Sequence, residues 1–322
     1  MQRGASVKER SAPPGIFETI SVAVSSLIAQ PLPLLLPIVV DLFLWGGPRL
    51  SPASLTEPLR RWLLDQRGVD AATVADRLES IGRSGDLAVI LGLFVPSIFG
   101  GDPAGGSVPW VRPTVDPGGA VLTLALALLL FVASVWGAMA LGAMLARVVR
   151  GRSPVGDGWL RASGVAALRY LGFLALVALV VAAVVVPSSI VGAAFLVAGL
   201  DVLPLIASLL IVPAIAAYVC LAFVGDAIVF AGVGPLRACS LSFGVVRRSP
   251  WATIGLLLVL LIVSAGVARI GGGLADSLPG VALAIAAYAF VATGLALARM
   301  QFFSDRLRRW RADLVPPIQP AA

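Results

Sequence analysis

Residues 120–148 read AVLTLALALLLFVASVWGAMALGAMLARV, with no charged side chain until Arg147 near the end. A helix needs roughly 20 apolar residues to cross about 30 Å of hydrocarbon, so this stretch is long enough to span a bilayer with some tilt. Backbone groups in lipid must be paired within the protein, which leaves only helices and closed barrels. An unbroken apolar run without polar alternation points to a helix. The whole chain agrees: 59% of its 322 residues are hydrophobic, 13% are charged, and mean hydropathy is +0.98. That much apolar surface exceeds what a water-soluble core can hide.

Similar runs lie on either side. The expected fold is an all-α polytopic transmembrane bundle of about six spans, a single integral membrane domain over residues 1–322. Its predicted spans are about 32–45, 120–148, 165–186, 202–231, 251–270 and 278–300. The first 14 residues are polar and basic, and the mixed segment 15–30, with Glu18 among apolar residues, predicts a helix at the cytoplasmic interface. That segment lacks a signal-peptide cleavage pattern, so the N-terminus is expected to be retained, and the C-terminus has no prenylation pattern.

Residues 47–116 form one large polar insertion. Ser51-Pro52 and Asp70 supply helix starts, and Gly68 and Gly82 supply stops, predicting helices over about 53–67 and 71–81. Residues 87–99 are apolar but short and contain Pro96, which predicts a re-entrant or protein-packed segment. The apolar connection 187–201 is another candidate for partial re-entry.

Charge sets the orientation. The net charge is +7, and every basic residue except Lys8 is arginine. Arginines gather between spans two and three (Arg147, Arg150, Arg152, Arg161, Arg169), between four and five (Arg237, Arg247, Arg248), and after span six (Arg299, Arg306, Arg308, Arg309, Arg311). The alternate short connections hold at most Arg269. The insertion's seven arginines face eight carboxylates and belong to a segment too long for the positive-inside rule. Both termini are therefore expected inside, with the insertion outside. Placement at span ends argues against a nucleic-acid partner, and membrane lipids are the expected one.

Gly158-Trp-Leu-Arg161-Ala-Ser163 and Gly234-Pro-Leu-Arg237-Ala-Cys-Ser240 each open an arginine-bearing segment leading into an apolar run. Three units of surface helix, span, connection and span would account for this order, and so would a coincidence of composition. The stretch Phe223-Val-Gly-Asp226 through Gly234-Pro-Leu-Arg237-Ala-Cys-Ser240-Leu-Ser242-Phe, with Arg247-Arg248-Ser249-Pro-Trp251 after it, resembles a group of uncharacterised bacterial six-span proteins. These are similar to the membrane domain attached to some glycerophosphodiester phosphodiesterases. The resemblance covers about residues 220–265 and implies topology rather than chemistry, because in such fusions a separate soluble domain performs the reaction. It also implies a bacterial plasma-membrane protein.

Catalytic constellations are scarce. The chain has no histidine, and Cys220 and Cys239 form no metal-ligand spacing. The insertion's carboxylates alternate with arginines as solvated helix faces do. No cofactor or enzyme activity is implied. Charges within or beside spans weigh more, since one at mid-bilayer costs roughly 3 kcal/mol or more without a partner. Asp41, Asp226, Arg169 and Arg269 are the candidates. Either the carboxylates face the interior, lining a polar pathway or pairing with Arg169 or Arg269, or all four reach the interface from span ends.

Phe303, Leu307, Trp310 and Leu314 form one helical stripe opposite Arg306, Arg308, Arg309 and Arg311, so 302–322 is expected as an amphipathic tail on the anionic inner leaflet. The small residues Ala138, Gly142, Ala146, Gly294 and Ala298 suit close helix packing within the bundle, or with a second copy or another membrane protein. Two functions stand against each other: a structural, assembly or lipid-organising protein, and a small transporter with a pathway near Asp41 and Asp226. A polar-lined cavity at the bilayer midplane belongs to the second.

Overall fold

The computed structural model describes residues 15–65, 69–99, 112–197, 202–274 and 277–314. Helices dominate, and the only sheet among the described residues is a two-residue parallel pair, Arg49–Leu50 with Thr114–Val115. Five helices are long and apolar enough to cross a membrane, and a bent pair at the N-terminal end supplies a sixth if counted as one span. The chain is a multi-pass integral membrane protein.

The bent pair covers the two segments expected separately, an interfacial helix over 15–30 and a short span over 32–45. Helices α1 (Ile16–Ala29) and α2 (Leu35–Gly46) meet at 91° across the 3-10 turn Leu32–Leu34. Pro31 and Pro33 lack the N–H groups a continuous helix needs, and Leu34 N–H bonds to Pro31 O instead. On α1, Thr19, Ala23 and Leu27 are buried while Phe17 and Ile28 are exposed. Its buried stripe joins Leu141, Leu145 and Leu297 in one cluster.

The insertion contains α3 (Ala53–Asp65) and α4 (Val69–Ser84), packed as a hairpin; the predicted stop at Gly68 lies outside the described residues. Ser51 Oγ accepts the Ala53 N–H at 3.1 Å, as an N-cap does. Asp86 ties the base of the insertion together. It accepts N–H groups from Leu50 (3.0 Å) and Ala88 (2.9 Å) and pairs with Arg112 at 2.9 Å. Arg112 also donates to Gly47 O, so three separate strands of chain converge on one buried ion pair.

Helix α5 (Ala120–Val149) runs through the bundle unbroken. The third predicted span is much longer than 165–186: α6 (Trp159–Val197) absorbs both the expected surface segment before it and most of the 187–201 connection. Nothing in residues 159–186 breaks a helix, and Pro187 is carried inside it. Residues 198–201 lie outside the described residues. The repeat of surface helix and span therefore does not hold for this unit.

The fourth span is broken in two, α7 (Leu203–Leu221) and α8 (Val224–Ala231). Ser242 of α9 (Pro235–Arg248) fills the break: its hydroxyl accepts the Phe223 N–H at 3.2 Å and donates to Cys220 O at 2.6 Å. Helix α10 (Pro250–Leu274) follows after Ser249. The Ser249 hydroxyl donates back to Val245 O at 3.2 Å, closing the end of α9, while its carbonyl accepts the Thr253 N–H at 3.0 Å at the start of α10.

The last span and the tail form one helix, α11 (Leu278–Leu314). This corrects the expectation of a separate tail lying on the leaflet. Phe303 and Leu307 are buried in a cluster with Phe223, Ala238 and Val245, and the Trp310 ring covers Gly244. Phe303, Leu307 and Trp310 pack on α8 and α9.

Candidate functional site

Depth within the bundle can be measured along α5. Ser134 is near the middle of its 30 residues, about 20 Å from either end at 1.5 Å per residue. Its hydroxyl donates to Leu91 O at 2.9 Å and accepts the Phe94 N–H at 3.3 Å. The segment 87–99, a 3-10 turn Leu87–Gly92 followed by irregular chain, thus reaches the middle of α5 and returns. Phe94 packs edge-on against Phe131 and Tyr170. Irregular backbone at this depth needs internal partners, and Ser134 supplies two of them.

Asp41 supplies two more. Fully buried on α2, it accepts the Ser97 hydroxyl and the Ile98 N–H, the latter at 3.1 Å. A carboxylate in a span is here a clamp on the returning chain. It pairs with neither Arg169 nor Arg269.

Asp226 is also buried, on α8, and its partner is one that sequence reading placed among the cytoplasmic charges. Arg299 of α11 donates Nε to Oδ2 at 2.9 Å and Nη2 to Oδ1 at 3.2 Å. The carboxylate is 3% exposed and the guanidinium side chain 38%, so the cation presents the accessible edge of this pair. Arg169 instead donates to Gly232 O at 2.6 Å, capping α8. Arg269 is exposed, with no ion pair among the described residues. In the tail, Arg306 lies over the Phe302 ring at 4.9 Å and Arg248 over Trp310 at 4.6 Å. Arg308 is exposed and Arg309 half-buried, while the Arg311 side chain lies outside the described residues.

Between the returning segment and the ion pair lies a cavity of about 450 Å³. Leu93, Phe94 and Pro96 form its roof, Asp226 and Arg299 its floor, and α5 walls it from Ala138 to Leu145, a rise of roughly 10 Å. It therefore extends from mid-bundle toward the arginine-rich end. All three tyrosines of the chain, Tyr170, Tyr218 and Tyr288, line it from three different helices. Their hydroxyls make no hydrogen bond among the described residues. Tyr170 and Tyr218 are within electrostatic reach of Arg299. The cavity reaches the surface beside α7 and α10, where its lining residues Tyr218 and Leu261 are 69% and 62% exposed.

Sequence reading singled out Asp226 but not Arg299, because an arginine ending an apolar run looks like an anchor at the interface. The tyrosines offered a signal at two positions, since Tyr218 and Tyr288 each interrupt a long aliphatic stretch, whereas Tyr170 follows Arg169 at the start of one. Among the described residues no group of three or more Cys, Asp or Glu side chains is placed to hold a metal ion. Volume and mixed lining match small-molecule sites, which run roughly 300–1,000 Å³. No family model, curated protein or solved structure significantly matches this chain.

Proposed function

We propose that the chain is a non-enzymatic membrane carrier or receptor that takes a small amphipathic molecule from the bilayer into the cavity above Asp226 and Arg299. The observation that carries this reading is the cavity's side opening at Tyr218 and Leu261. An opening between two spans faces acyl chains, so an apolar ligand body can enter without passing through water. Inside, the free edge of Arg299 and the tyrosine hydroxyls offer donors to an acceptor group such as a carboxylate, phosphate or carbonyl oxygen. Asp226 neutralises the arginine, which lets the site remain stable when empty.

A purely structural role would favour a filled interior, and a void of this size in mid-bundle costs stability. Arginine at the α5–α6 connection, on α9 and at the end of α11 supports an orientation with both termini in the cytoplasm and the insertion outside. The resemblance over residues 220–265 supports a bacterial plasma membrane.

The test is mass spectrometry of small molecules retained by the purified full-length protein, beside a Leu261→Trp variant that plugs the mouth. A defined molecule held by the wild type and lost from L261W, with thermal stability kept, supports the reading. Equal retention by both, or none by either, refutes it.

A further inference from the structure

A second cavity, of about 390 Å³, lies at the arginine-rich end, between the end of α5, the start of α6 and the end of α8. Arg147, Arg150, Arg161 and Arg169 line it, and Asp157 is its single carboxylate. Among the described residues none of the four arginines has an ion pair. Three are held by backbone carbonyls: Arg147 Nε donates to Ser153 O at 2.7 Å, Arg150 Nη2 to Phe230 O, and Arg169 Nη1 to Gly232 O. Each of these contacts uses one of a guanidinium's five donors, so the arginines are positioned and still have N–H groups free. Arg161 is exposed and has no hydrogen bond among the described residues.

Holding four cations together against one carboxylate is unfavourable unless an anion joins them. Burial, and then the nearby guanidinium groups of Arg152, Arg308 and Arg147, push Arg150 below its ordinary value. Planar forks match the oxygens of a phosphate, and basic pockets between spans are typical seats for anionic headgroups. Trp159 lines the rim, and Ala143, Ala146 and Ile228 form an apolar side suited to the first part of an acyl chain.

We infer that this pocket binds a phosphate-bearing anion through Arg147, Arg150, Arg161 and Arg169, supplied either as an anionic phospholipid headgroup or as a soluble phosphate monoester. The pocket is distinct from the central cavity: Val229 lines both, but none of the four arginines lines the central one.

The test uses the full-length protein in mild detergent. Native mass spectrometry would compare retention of phosphatidylglycerol and phosphatidylcholine, and thermal unfolding would be followed with glycerol phosphate at constant ionic strength. The double variant Arg147→Gln/Arg161→Gln is set against Arg237→Gln/Arg247→Gln, which removes the same charge from α9. Selective retention of phosphatidylglycerol that falls about tenfold, or about 1.4 kcal/mol, in the first variant alone supports the proposal with a lipid source. Saturable stabilisation by glycerol phosphate, lost in the first variant alone and without lipid selectivity, supports it with a soluble source. Equal effects in both variants, or no preference for any phosphate, overturn it. If the first variant does not fold, Arg161→Gln alone carries the test, and unchanged binding of both probes would then overturn it.

Discussion

Asp226 and Arg299, 73 residues apart, form a two-point ion pair in which the carboxylate is sealed and the guanidinium keeps one edge on the cavity. The pair fastens the last long helix to the second half of the broken fourth span and gives the cavity a polar floor. Removing one partner of a buried pair leaves an uncompensated charge, at about 3–5 kcal/mol. Because Arg299 is partly accessible, the lower end of that range applies.

Asp226→Asn and Arg299→Gln should each lower thermal stability in detergent by that amount. The double variant should lose less than the sum of the two, since it leaves no orphan charge. Additive losses would mean that the two side chains do not interact.

Ser242 bonds two of the backbone groups freed at the break between α7 and α8, the Phe223 N–H and Cys220 O. Ser242→Ala leaves the buried Phe223 N–H without its partner and should cost about 1–3 kcal/mol. Amide exchange at Phe223 should rise sharply, while exchange in mid-α5 stays unchanged. Protection at Phe223 equal to the wild type would remove Ser242 from this role.

Asp41 clamps the returning segment by accepting the Ser97 hydroxyl and the Ile98 N–H. Asp41→Ala should loosen residues 93–99 and open the roof of the cavity. Hydrogen exchange localised to that stretch is the expected readout. A change spread evenly across all helices would show a global effect rather than a local clamp.

In the insertion, hydrogen bonds from Arg60 and then Arg61 hold the Glu57 carboxyl at about 2, well below its usual 4.5. A depressed carboxylate contributes stability above its unfolded value and loses that contribution as pH falls through the folded value. Both partners lie on α3 itself, so the start of α3 should loosen between pH 4.5 and about 2. A spin-label pair placed within α3 should broaden its distance distribution in that window, and Glu57→Gln should abolish this pH dependence.

A Cβ at Gly244 would meet the Trp310 ring at 2.7 Å. Gly244→Val should lever the end of α11 off α9 and speed proteolysis after Arg308 or Arg309. Unchanged cleavage would mean the tail does not rest on α9.

The spans were legible because charge-free runs of such length have no other stable environment, and the separation of α1 from α2 because Glu18 and the serines set 15–30 apart from the apolar run after it. The first helix of the insertion followed from Ser51 and Pro52, while the second runs two residues past its expected stop at Gly82 and holds the expected cap Asp70 inside its first turn. Pairing was harder to read. Arg299 sits where an anchoring arginine would sit, and only the packing of α11 against α8 turns it inward. Phe303, Leu307 and Trp310 form a stripe that suits a leaflet or a neighbouring helix equally, and the choice depended on α9 lying within reach. The cavity left no periodic trace, since Tyr170, Tyr218 and Tyr288 meet only after three helices pack.

Reactivity of a thiol introduced at Ala292, a cavity-lining position on α11, tests the central claim most directly. In a background lacking Cys220 and Cys239, Ala292→Cys should react with a small membrane-permeant thiol reagent in intact vesicles. Adding Leu261→Trp should slow that reaction at least several-fold. A thiol at 292 that stays inert, or one that reacts equally fast with the mouth plugged, would contradict an open cavity between α7 and α10.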